Sequence, residues 1–288
     1  MMADYKVQFP PLDSTILPPV QILEAAGVRY CVVGDLVIMA LGGPLVLTDL
    51  YLAVADDQLE LARSALGSHG FDELPQTHRR FFDSDAAKES PTGWPGYRFL
   101  PHEAGPDEGP DRYWATSTII IPATFWHLDL SPESWSTTTF LVPDTAYRFP
   151  PRLVYLRAMI DAVAERHGDE GLNGEITCYF KIQYSYLLSV LLDDVLACLP
   201  VEDRFFVDLF GKVILYSAKK KVCYLRQQIR AGLITPETAK TLVPRKYLEI
   251  AALKAKHRKP VQEANGGKPA LRFPLDSSNI PQRQAANG

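Results

Sequence analysis

The sequence predicts an α+β protein: a small mixed β-sheet flanked by helices, followed by an all-helical region. Two observations predict it. Short β-branched runs alternate with helical stretches through the first half, and beyond Pro150-Pro151 only helical spacing of apolar residues remains. Charge divides at the same place. Residues 1–150 carry 9 Lys and Arg against 20 Asp and Glu, net −11, and residues 151–288 carry 21 against 14, net +7, together the −4 of the whole chain. The expected organisation is an α/β domain over 1–149, a helical domain over 150–259 and a disordered tail over 260–288, rich in Asn, Gly, Gln and Pro. An acidic half beside a basic half suits the docking of two lobes. No single stretch is basic enough to call for nucleic acid.

The first elements follow from local chemistry. Residues up to about Ser14 read as a proline-bearing lead-in, and 18–26 as a short helix with prolines in its first turn and Gly27 as its stop. Residues 29–33 form an apolar, β-branched run broken by Gly34-Asp35. Residues 36–41 are a short helical piece, with Asp35 placed to cap it and Gly42-Gly43-Pro44 to end it. Then Leu50, Leu52 and Val54 alternate with Asp49, Tyr51 and Ala53, a strand with one apolar face and one face bearing Asp49 beside Tyr51. A strand carboxylate facing a glycine turn at a helix start points to a phosphate or metal site.

The order strand, Gly34-Asp35, short helix, Gly43-Pro44, then Thr48-Asp49-Leu50-Tyr51 resembles the nucleotidyltransferase fold, in its minimal nucleotidyltransferase group that includes a largely fungal, uncharacterised set. The resemblance covers roughly the first 130 residues. It implies transfer of a nucleotidyl group from a nucleoside triphosphate held by Mg²⁺, with Asp49 as metal ligand and catalytic group, and Gly34, Asp35 and Thr48 at the nucleotide. Two residues depart from the family pattern. Asp35 replaces a glycine or serine, and Tyr51 replaces the second aspartate. A neutral phenol is no substitute for a carboxylate toward Mg²⁺. A carboxylate at the turn would repel a polyphosphate, although as a helix cap it has a sufficient structural role. Metal and nucleotide binding are therefore expected to be weak or absent.

Further along, Asp56-Asp57 opens a helix through Leu66 that Gly67 and Gly70 close, and the acidic pair suits the helix dipole. Residues 71–117 are poorly patterned. His78-Arg79-Arg80 reads as a solvated turn, 103–111 as an acidic glycine-proline loop, and 93–100 as a turn leading into a strand that carries Trp94 and Tyr97. Thr118 to Ile121 form a buried strand ended by Pro122, and 125–130 a short edge strand. The fold resembled places a third carboxylate on a later strand. Asp129 is the candidate, with His127 two residues away on the same face; equally, Asp129 could cap the Ser131-Pro132-Glu133 turn.

The second half reads as helices over 152–167, 175–199 and 202–230, the last with Lys219-Lys220-Lys221 toward its C-terminal end. Gly232 breaks it. Thr235-Pro236-Glu237 starts another that Pro244 stops, and 247–257 is the last. The four cysteines are widely spaced and read as reduced core thiols. With no apolar leader, and with Asp193-Asp194 interrupting the longest apolar run, a cytoplasmic protein off the membrane is expected.

Three functions fit. One is a working nucleotidyltransferase acting on a small molecule or protein through Asp49, Asp129 and the Gly34 turn. A second is a metal-free descendant whose cleft, walled by Tyr51, Trp94, Tyr97, Trp114 and Trp126 beside His127, binds an aromatic or apolar small molecule. The third is an interaction protein that docks a partner through its basic helical region. Oligomeric state is not readable.

Overall fold

The computed structural model describes residues 13–45, 47, 49–75, 94–102, 116–142, 147–167, 174–191, 193–213, 215–246, 249–251 and 253–256. Thr48, the His78-Arg79-Arg80 cluster, Trp114, the acidic 103–111 segment and the 260–288 tail lie outside these residues. The protein is mixed α+β, a five-stranded mixed sheet in the N-terminal part followed mostly by helices.

The sheet is assembled from β1 (Tyr30–Val33), β2 (Asp49–Val54), β3 (Phe71–Leu74), β4 (Tyr97–Pro101) and β5 (Ser117–Pro122), in the order β1-β2-β5-β4-β3. β2 and β5 run parallel, with Asp49 opposite Ser117 and Val54 opposite Pro122; the other neighbours are antiparallel. β2 lies between two strands and has all six residues buried, so the expected contrast between an apolar and an open face is absent. β3 escaped the sequence pattern because its central residues are Asp72 and Glu73, at the sheet edge. Gly96 (φ 90°) enters β4 where a Cβ would stand 2.0 Å from the Ile120 carbonyl oxygen, so only glycine fits that approach.

Three helices among the described residues pack around this sheet before residue 70. α1 (Asp13–Ala25) starts earlier than predicted and carries Pro18 and Pro19 inside it. α2 (Asp35–Ala40) follows the Gly34 turn, and α3 (Leu59–Ser68) follows a 3₁₀ turn at Asp56–Gln58. α3 packs on β3, β5 and α1, while α2 packs on β1 and β2. Residues 125–130 are not the predicted edge strand. A 3₁₀ turn (Ala123–Trp126) leads to His127 in the left-handed region (φ 55°), because Pro122 ends β5 and the Leu128 N–H turns back to the Ala123 carbonyl. The short helix α4 (Trp135–Thr138) and a two-stranded ribbon of β6 (Phe140–Leu141) and β7 (Arg148–Phe149) close this half.

The second half contains α5 (Arg152–Arg166), α6 (Gly174–Val190), α7 (Asp193–Ala197), α8 (Val201–Phe210), α9 (Tyr216–Arg230) and α10 (Pro236–Leu242), and the described residues 249–251 and 253–256, where a last helix was predicted, are helical as well. Two predicted long helices are each broken. The 175–199 run breaks between Val190 and Asp193, and 202–230 splits between Phe210 and Tyr216 at Gly211. Lys219-Lys220-Lys221 therefore lies in the first half of α9, not at a helix end. α10 starts as its sequence predicts, with the Thr235 hydroxyl accepting from the Thr238 N–H at 3.2 Å. Buried apolar residues from Val20 to Val243 form one continuous core shared by sheet and helices. Cys31 and Cys223 belong to that core, but Cys178 and Cys198 are exposed thiols, contrary to the expectation for all four. Among the described residues, no helix is long and apolar enough to cross a membrane.

Candidate functional site

The predicted site residues separate into two places. The first surrounds the turn after β1. Val33 pairs with Tyr51 across the β1–β2 ladder, which sets Gly34 against the Tyr51 ring. Gly34 adopts φ 74° and ψ −144°, a conformation close to glycine-only, and a Cβ there would stand 2.6 Å from the Tyr179 hydroxyl and 3.1 Å from Tyr51.

Asp35 does not cap α2. It is the first residue of that helix, where Gly34 holds the N-cap position, and it is buried. Its carboxylate faces α6, where Oδ1 accepts from the Gln183 side-chain amide and, at 3.4 Å, from the Tyr179 hydroxyl. The Gly34 N–H, the group expected to meet phosphate, donates instead to the Tyr155 hydroxyl of α5 at 2.9 Å. Burial, then the Asp35 carboxylate, hold the Tyr179 phenol well above its usual range. Tyr51, Tyr155 and Asp49 act on the same phenol, so these five side chains form one neighbourhood.

Asp49 is buried at the start of β2, and its Oδ1 accepts the Ser117 N–H at 3.1 Å from the parallel strand. The Ser117 hydroxyl accepts from Arg98 at 2.8 Å. Beyond this polar end lies an aromatic cluster. The Tyr51 ring sits 5.5 Å from Trp94, 6.2 Å from Trp126 and 5.5 Å from Tyr179, and Trp126 sits 5.0 Å from Phe180. Trp126 is fully buried, and among the described residues its indole N–H has no partner; neither does the Gln183 side-chain carbonyl. Arg166 lies over Phe125 and Phe180, 4.5 Å from each ring centre, and its donors reach the Phe125 carbonyl.

The second place lies beyond the opposite, carboxyl end of β2, roughly 20 Å along the strand from Asp49 at about 3.3 Å per residue. There a cleft of about 550 Å³ opens where β2 and β5 end, and it holds His127 and Asp129. They do not share a strand face, and neither joins Asp49. Asp129 is exposed and takes the turn-capping role, its carboxylate accepting the Ser131 N–H at 3.0 Å. Hydrogen bonds from Ser134 and Ser131 keep it below the usual carboxylate range. His127 Nε2 lies 2.9 Å from Glu165 and 3.2 Å from Arg166. Burial pulls its imidazole below the ordinary histidine range, with Arg166 adding to that effect and Glu165 opposing it. Neither a protein-family model nor any curated protein matches the chain.

Tyr155, Tyr179, Gln183 and Ser117 were not singled out from sequence. The available signal was Gln183 four residues after Tyr179 in a largely apolar helix, a spacing that puts both side chains on one face.

Proposed function

We propose that the protein is a metal-independent descendant of the nucleotidyltransferase fold, and that its former nucleotide cleft takes a flat organic molecule in place of a triphosphate. One observation carries this reading. The Gly34 N–H is spent on Tyr155, and Asp35 is held by Tyr179 and Gln183, so the turn meets helical side chains where a polyphosphate would need free donors. A carboxylate at that turn repels phosphate, and Tyr51 denies a dication its second acidic ligand. The surrounding rings are flat and apolar but pack against one another, and a molecule that parts them would meet the Trp126 N–H and the Gln183 carbonyl.

The test compares Mg-ATP with a panel of planar aromatic molecules, using tryptophan fluorescence and calorimetry. No saturable Mg-ATP binding is expected, together with quenching by at least one aromatic ligand that is lost in Trp94→Ala. Tight Mg-ATP binding abolished by Asp49→Ala would replace this reading with that of a working transferase.

A further inference from the structure

The aromatic cluster has two hydrogen-bond donors at hand that the chain leaves short of acceptors. We propose that the flat molecule is an aromatic carboxylate, with its ring among the aromatic side chains and its anionic group on the guanidinium of Arg166. This rests on the reading of the cluster as a site for a planar molecule, and it names the chemistry of that molecule.

Arg166 ends α5 and stands over two rings of the cluster, Phe125 and Phe180. Its donors reach the Phe125 carbonyl at 2.8 Å and the Ala162 carbonyl at 3.5 Å, and lie 3.2 Å from the His127 ring. Among the described residues no carboxylate pairs with it. Glu165, next to it in the chain, is exposed and turns to His127 at 2.9 Å instead. Burial pulls the guanidinium below its usual range, with Glu165 opposing. A half-buried cation with no ion-pair partner is costly to keep in a fold, and an arriving anion relieves that cost.

Trp126 supplies the second donor. Its ring centre is 5.0 Å from that of Phe180, one of the two rings under Arg166, and its buried N–H has no partner among the described residues. A buried indole N–H ordinarily finds an acceptor. One charged donor and one neutral donor thus neighbour the same ring, and a carboxylate offers each of them an oxygen. Trp126 and Phe180 form the buried floor of the cluster, whereas Trp94, Phe125 and Tyr179 are half-buried and leave it a flank toward solvent. Asp35 and the Gln183 carbonyl, beside the Gly34 turn, disfavour an anion there, which orients the acid toward Arg166.

Calorimetry of the full chain with 2-naphthoate, 2-naphthamide and cyclohexanecarboxylate at fixed salt tests this. Saturable binding of 2-naphthoate is expected, roughly tenfold or more tighter than the amide, and weakened by a similar factor in Arg166→Gln. Trp126→Phe, which keeps a ring and removes the N–H, should also weaken the acid. Equal or tighter binding of the amide by the natural chain would overturn the proposal and leave the planar-molecule reading standing. That contrast needs no variant, so it decides even where Arg166→Gln fails to fold, which a melting curve checks. Cyclohexanecarboxylate binding as tightly as 2-naphthoate, or an unchanged affinity for 2-naphthoate in folded Arg166→Gln, would also overturn it. So would binding of neither naphthyl probe; quenching by another planar molecule would then keep the broader reading, and its absence would end both.

Discussion

At the scale of single residues, Gly34 is tightly constrained. Its backbone lies where a side chain is strained, and any Cβ meets the Tyr179 hydroxyl. Gly34→Ala should destabilise the protein by about 1–3 kcal/mol from backbone strain, with the displacement of Tyr179 adding to it; chemical denaturation reads this directly. Tyr155→Phe removes the acceptor of a buried N–H and should cost about 1–3 kcal/mol unless water replaces the hydroxyl. His127 supplies a pH dependence. Folded, its imidazole binds a proton less readily than the histidine of an unfolded chain, near 6.5. Its contribution to stability is therefore complete above about 6.5 and declines as the pH falls toward its depressed folded value. Thermal melting of the natural protein should fall more steeply between neutral and mildly acidic pH than that of His127→Gln. Equal slopes would show that other groups carry the acid sensitivity.

Among the elements, the helical half is tied together by one buried ion-pair network. Asp203 on α8 is buried and receives Arg226 of α9 at 2.6 Å and Arg157 of α5 at 3.2 Å. Arg226 also reaches Asp161 on α5, which Arg230 meets at 3.3 Å. Burial works against the Arg226 charge, but its two carboxylate partners more than offset that and hold its pKa up. Arg226→Met should cost about 3–5 kcal/mol, because it leaves Asp203 buried with only the more exposed Arg157. Removing both charges in Arg226→Met/Asp203→Leu should recover much of that loss, and denaturant midpoints of the two variants decide it. The basic half predicted from composition is thus partly interior. Arg226 serves the fold, whereas Lys220 and Lys221 are exposed on α9.

For the molecule as a whole, the charge asymmetry led to an expectation of two lobes docked face to face. The structure has a continuous core and polar ties across its two halves, Asp35 to α6 and the Gly34 N–H to α5. These ties make the nucleotide test a test of the whole fold. If Asp35 only opposes phosphate, Asp35→Ser should raise ATP affinity. If it chiefly anchors α6, Asp35→Ser should lower the melting temperature and leave ATP binding absent. Calorimetry and a melting curve on the same sample separate the two.

The α+β class, the strand at Asp49, the β5 strand ended by Pro122 and the capped start at Thr235 were legible in the sequence, because each depends on near neighbours. Alternation, proline and glycine breaks, and a hydroxyl three residues from the N–H it accepts are local physics. The breaks within the two long helical runs were less legible, since apolar periodicity continues across a short bend. The acidic edge strand β3 has no pattern of its own and exists because β4 offers it hydrogen bonds. The site depended on contacts that sequence spacing does not encode. Tyr155, 121 residues from Gly34, and Gln183, 148 residues from Asp35, occupy the N–H and the carboxylate of the turn. His127 and Asp129 were grouped with Asp49 on the assumption of a strand, and the turn after Pro122 sends them to the opposite end of β2. Local chemistry determined the elements; only the packing of α5 and α6 on the sheet determined which donors and carboxylates were left for a ligand.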